Sequence, residues 1–181
     1  MNIKIPRIID EQEILVRFIF EKNFKNKKID AAKISDGDIF LDLRGVSLQR
    51  ENYCNETKCK KLAKENKFQK YIGFAIFRLK HFNKTLEEHK INRPDFEARL
   101  ISTPLDINSK IISSEIEINT ETPGLPAHAD IEYLNPAIVD DETPKIALRK
   151  FSRNLFKKSV LIIDPKPKEE EPLFISFKKS I

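Results

Sequence analysis

The sequence predicts an α+β fold: a mostly antiparallel sheet of about five to seven strands with an N-terminal helix, a short middle helix and a basic C-terminal helix. Three observations carry this. Short apolar runs bounded by turn residues recur, as at Asp36-Gly37-Asp38 before Ile39 and at Pro123-Gly124-Leu125-Pro126 before His128. The run from Tyr71 to Leu79 is apolar on both faces, as a central strand is. Residues 143–158 combine an apolar stripe at helical spacing with a cationic back. The 181 residues are 40% hydrophobic and 34% charged, which suits one domain with a core of ordinary size. Residues 1–165 read as that single domain and 166–181 as a charged linker and tail.

Taken in order, Asp10 has the character of a helix N-cap and Glu13 completes a capping box. Ile14, Leu15, Phe18 and Ile19 then share one helical face, with Glu11, Arg17 and Glu21 on the other, so a helix is predicted over about residues 10–22. Ile39 to Leu43 reads as a strand. Arg44 to Arg50 reads as strand or strand end, with Val46 and Leu48 on one side and Ser47 on the other. Asn55 caps a short helix from Glu56 to Asn66. Cys59, Leu62 and Ala63 share one face of it, and Lys58, Lys60, Lys61 and Lys64 project elsewhere.

In the central strand, Gly73 marks a close backbone approach. Residues 80–95 are polar and read as a loop with a helical turn. Phe96 to Thr103 reads as a strand ended by Pro104, and Ile111 to Thr120 alternates as a strand does. After the turn at 123–126, Ala129, Ile131 and Tyr133 share one strand phase and His128, Asp130 and Glu132 the other. Pro144 opens the last helix at its first position, and Ala147, Leu148, Phe151, Leu155 and Phe156 form its buried stripe. Val160 to Ile163 is a strand. Leu173 to Phe177 docks as an edge strand or meets a protein partner.

A net charge of +5 and a pI near 9.1 favour an anionic macromolecule or nucleotide as partner. Two cysteines, Cys54 and Cys59, are too few for a disulfide scaffold and point to a reducing, cytoplasmic location. No stretch approaches the ~20 apolar residues of a membrane span, so no membrane partner is expected. A secretion signal is not evident, and no glycine-rich phosphate motif is present.

His128 and Asp130 form the sharpest chemical signal. Imidazole titrates near neutrality, and a carboxylate on the same strand face can orient it as a general base. The competing reading is a histidine satisfied by backbone at a strand end. Ser47 and Arg50 form a second candidate, since guanidinium pairs bidentately with phosphate; a surface arginine paired with Glu51 or Asp42 is the alternative. Arg149, Arg153 and Lys157 follow one another at i, i+4 steps, a cationic stripe that no acid on the same helix neutralises. It either tracks a phosphate backbone or is the solvated face that any amphipathic helix needs. Aromatic stacking beside that stripe is not evident, so sequence-specific reading of a single strand is not supported. Cys54 and Cys59 with two histidines lack zinc-ligand spacing, so no metal or other cofactor is expected.

The chain resembles a group of small, uncharacterised bacterial proteins. The similarity rests on Asp10, Glu11, Ile14 and Arg17, on Gly45 to Arg50 (Gly-Val-Ser-Leu-Gln-Arg), and on Pro126 to Asp130 (Pro-Ala-His-Ala-Asp). The resemblance implies an accessory role in antiviral-defence or mobile-element operons. A fainter likeness is to the Cys/Glu/His/His domain of bacterial ubiquitin-like conjugation operons, for which Cys54, Glu56 and His128 supply three residues. The function expected is a binding protein for nucleic acid, a nucleotide or an acidic protein. The alternatives are a small hydrolase or transferase with His128 as base, and a structural subunit docking through residues 173–177.

Overall fold

The computed structural model describes residues 3–112, 116–118, 122–134, 142–171 and 175–181. The elements in chain order are β1 (Ile3–Ile5), β2 (Ile14–Phe20), β3 (Val46–Arg50), α1 (Glu56–Lys64), β4 (Tyr71–Arg78), α2 (Leu79–Asn92), β5 (Ala98–Ser102), β6 (Ile116–Ile118), β7 (His128–Tyr133), α3 (Glu142–Lys157), β8 (Val160–Ile163) and α4 (Phe177–Ser180). Six strands form one antiparallel sheet in the order β5-β7-β3-β2-β4-β8, and β1 pairs with β6 in a separate ribbon. The α+β class and the mostly antiparallel sheet are as the sequence predicts.

Strand alternation sends apolar residues to both faces of the central strands, so each face needs a cover. One face packs Leu15, Ile19, Val46, Leu48, Ala75, Phe77, Ala129 and Ile131 against Phe82 of α2 and Leu148, Phe151 and Leu155 of α3. The other packs Ile14, Val16, Phe20, Phe74, Ile76 and Ile162 against Cys59 and Ala63 of α1 and Phe177 of α4. At Gly73 a Cβ would lie 2.1 Å from the Ile162 carbonyl oxygen, so glycine is what lets β8 close on β4.

The predicted N-terminal helix over 10–22 is instead β2, near the middle of the sheet. Asp10 makes a turn, not a cap: its side chain accepts from the Gln12 N–H at 2.7 Å and its carbonyl from the Glu13 N–H at 3.0 Å. A strand buried on both faces reads as a continuous apolar run, which helical spacing fits equally well. Residues 36–40 form a turn, not the strand expected at 39–43. Consecutive Ile39 and Phe40 are both buried, and Phe40 is held through its N–H to Ser152 Oγ at 3.0 Å and its carbonyl to the Tyr133 hydroxyl at 2.6 Å. The polar stretch from 80 is a full helix, α2, whose inner stripe is Leu79, Phe82, Leu86 and His89.

The tail packs back on the domain. Lys60, expected to project into solvent, is buried: its Nζ pairs with Asp164 at 2.9 Å and donates to the Lys166 and Glu171 carbonyls, each at 2.9 Å. Phe177 is fully buried beside Phe74, at the start of a helical turn, not in an edge strand. Leu173 and Phe174 lie outside the described residues.

Candidate functional site

The turn before β7 is built as predicted. Gly124 has φ +84, and a Cβ there would sit 2.5 Å from the Leu105 carbonyl oxygen. It delivers His128 inward, not outward. The ring is only 4% exposed, with Nδ1 3.0 Å from the Thr103 carbonyl and 2.9 Å from the Thr103 hydroxyl. A carbonyl only accepts, so Nδ1 carries the proton. The Thr103 hydroxyl donates its own proton to Asp130 Oδ2 at 2.7 Å, linking the two expected residues through a threonine. Burial depresses the imidazole pKa, opposed in part by the Asp130 charge and the Thr103 carbonyl, so the ring is neutral at pH 7. The expectation of a base presented to a substrate is therefore corrected: His128 and Asp130 tie the end of β5 to β7. Ser47 is exposed on β3, directly across from Asp130.

Arg50 is also not a phosphate ligand. Its side chain has no exposure, and every guanidinium proton has an acceptor. Nε and one terminal nitrogen grip Glu13 at 2.7 and 2.8 Å, and the remaining protons reach the Pro6 and Ile8 carbonyls and Ser102 Oγ. The Tyr53 ring lies 4.9 Å from the guanidinium carbon. Arg50 clamps the segment after β1 to the sheet.

The α3 stripe is compensated from outside its helix. Arg153 pairs with Asp36 at 3.2 Å and Arg149 with Asp38 at 3.5 Å, so both dock the 36–40 turn. Lys157 is exposed beyond those pairs. The two thiols are buried 3.4 Å apart, and Cys59 donates to the Cys54 carbonyl at 3.1 Å. Burial first, and then the neighbouring Cys54 thiol, pushes the Cys59 pKa well up, which leaves it inert as a nucleophile. Among the described residues no group of three or more His, Cys, Asp or Glu is placed to hold a metal.

A different surface carries the unexplained chemistry. The ladder between β2 and β3 spans only Leu15–Arg50 and Val16–Gln49, while β2 and β4 stay paired from Ile14 to Phe20. Past Val16 the strands separate. The half-buried Arg17 guanidinium enters the gap, donating to the Ser47 carbonyl at 3.0 Å and the Ile39 carbonyl at 3.3 Å. Burial lowers its pKa, while Asp42, Tyr133 and Asp130 act the other way. The gap opens into a cleft of about 250 Å³ with Phe18, Gln49, Asn66 and Gln69 on its walls. A shallower depression shares Phe18, Gln49 and Asn66 and runs on to Leu125 and Phe68. Phe68 is 98% exposed on the 65–70 loop between α1 and β4. Beside it stand Lys67 and Lys168, exposed and without an ion-pair partner among the described residues. The signal was present in the sequence as Lys67-Phe68-Gln69-Lys70, an aromatic residue between lysines, but only coordinates show that the ring is bare.

Comparison with protein-family models, with curated proteins and with solved structures returned no match to this chain.

Proposed function

We propose that this protein binds single-stranded nucleic acid on the surface around Phe68. The observation that carries the reading is the position of that ring, 98% exposed on a lysine-flanked loop. A phenyl ring left in water forgoes the free energy of burial, and a base face is a sequence-tolerant partner that recovers it. Lys67 and Lys168 supply charge for the phosphates that accompany the base. The anionic partner expected from net charge is retained, and the residues that meet it change. Arg50, Arg149 and Arg153 give way to the α1–β4 loop.

Binding of a labelled 12-nucleotide single strand, as DNA and as RNA, followed by fluorescence anisotropy tests this. Stacking on one aromatic ring is worth about 1–3 kcal/mol, so Phe68→Ala weakens affinity roughly 5- to 150-fold. Two phosphate contacts give a salt slope of about −1.4, and Lys67→Ala with Lys168→Ala removes most of it, at about 0.7 per contact. A Phe68→Ala protein that binds as well as the parent, or a parent that binds neither strand at low salt, refutes the reading.

A further inference from the structure

We infer that the cleft where β2 and β3 separate is a base-reading pocket that prefers a base with an exocyclic amino group. The inference rests on the single-strand reading and adds selectivity to it. Gln49 is only 4% exposed, yet its Oε1 is buried without a hydrogen-bond partner, and the Oε1 of Gln69 is in the same state. Both residues line the one cleft, together with Phe18, Phe20 and Arg17. Buried amide oxygens are nearly always paired, because an unmet acceptor bears the whole loss of its hydration. Two on one cavity mark a place shaped for a molecule that brings N–H groups.

The size and the path agree. Drug-sized ligands occupy roughly 300–1,000 Å³, so a cleft of about 250 Å³ takes a single ring system and little more. The depression that shares Phe18, Gln49 and Asn66 joins the cleft to Phe68. One base stacked on Phe68 therefore places a neighbour on the same strand at the cleft mouth. Two acceptors match the two protons of an amino group, which cytosine carries and uracil does not. Uracil brings one N–H and sets its carbonyl oxygens against the amide oxygens.

The test compares oligo(dC) with oligo(dU) of equal length and label in the anisotropy assay. The parent is expected to bind oligo(dC) about fivefold tighter or more. Gln49→Met is expected to bring the two affinities together while leaving the salt slope unchanged. Should Gln49→Met fail to fold, the half-exposed Gln69→Ala makes the same measurement. Equal binding of both strands by the parent, still sensitive to Phe68→Ala, overturns the pocket and leaves the stacking surface standing. A preference that survives both glutamine variants overturns it too, and binding of neither strand removes both readings.

Discussion

Removing the charge from Glu13 gives the sharpest test of how this fold is held. Arg50 sits at zero exposure with two nitrogens on the Glu13 carboxylate at 2.7 and 2.8 Å. Glu13→Gln keeps the shape and deletes the counter-charge, stranding a cation with no route to water. Breaking one side of such a pair costs about 3–5 kcal/mol, a large part of the roughly 5–15 kcal/mol that holds a domain folded. At about 2–4 °C per kcal/mol for a chain of this size, the melting temperature falls by roughly 6–20 °C. Scanning calorimetry or urea unfolding reads this directly. Removing both charges, as in Glu13→Leu with Arg50→Met, recovers most of the loss, because no ion then remains to be solvated. Arg153→Ala, which breaks an exposed pair, shifts stability by no more than about 1 kcal/mol. A Glu13→Gln protein within 1 kcal/mol of the parent, or a double variant no better than the single, refutes the assignment of Arg50 as a clamp.

Two further outcomes follow from packing and burial. Gly73→Ala drives a methyl group into the Ile162 carbonyl and costs about 3 kcal/mol or more, with β8 displaced. Thermal melts check the cost, and chemical-shift changes concentrated at Val160–Ile163 check the location. All three histidines have pKa values lowered first by burial from an ordinary value near 6.5. In each, the unfolded state binds the proton more readily, so stability is full above pH 6.5 and declines as pH falls towards the depressed folded values. Melting temperatures at pH 7.5 and 5.5 measure the decline, and His128→Gln is expected to shrink it; a variant with the parent's pH dependence contradicts the burial argument.

Elements whose signals were local could be read from the chain. Asn55 caps α1 by accepting from the Lys58 N–H at 3.0 Å, as its position before Glu56 indicates. Gly73 and the stripe on α3 lie where their patterns place them. β2 was hidden because Ile14, Leu15, Phe18 and Ile19 satisfy a helical period and a two-sided strand alike, and only pairing with β4 decides between them. α2 was hidden because polar residues outnumber its inner stripe. The site residues failed for a related reason: the partners of Arg50, Arg149 and Arg153 are distant in sequence, at Glu13, Asp38 and Asp36. Charge without its counterion looks available. Phe68 was passed over, since hydrophobicity alone gives no sign that the loop sets the ring outside.

The short ladder between β2 and β3 divides the sheet into two three-stranded wings, β5-β7-β3 and β2-β4-β8, stitched at two register positions and by two arginines, Arg17 on the Ser47 carbonyl and Arg50 on Glu13 at the start of β2. Most sheets transmit a load through continuous rungs; here the load crosses a seam. Under α2 and α3 that seam is closed by packing instead: Val46, Leu48, Ala129 and Ile131 of one wing and Leu15, Ile19, Ala75 and Phe77 of the other share one apolar layer, which holds the wings together where the rungs stop.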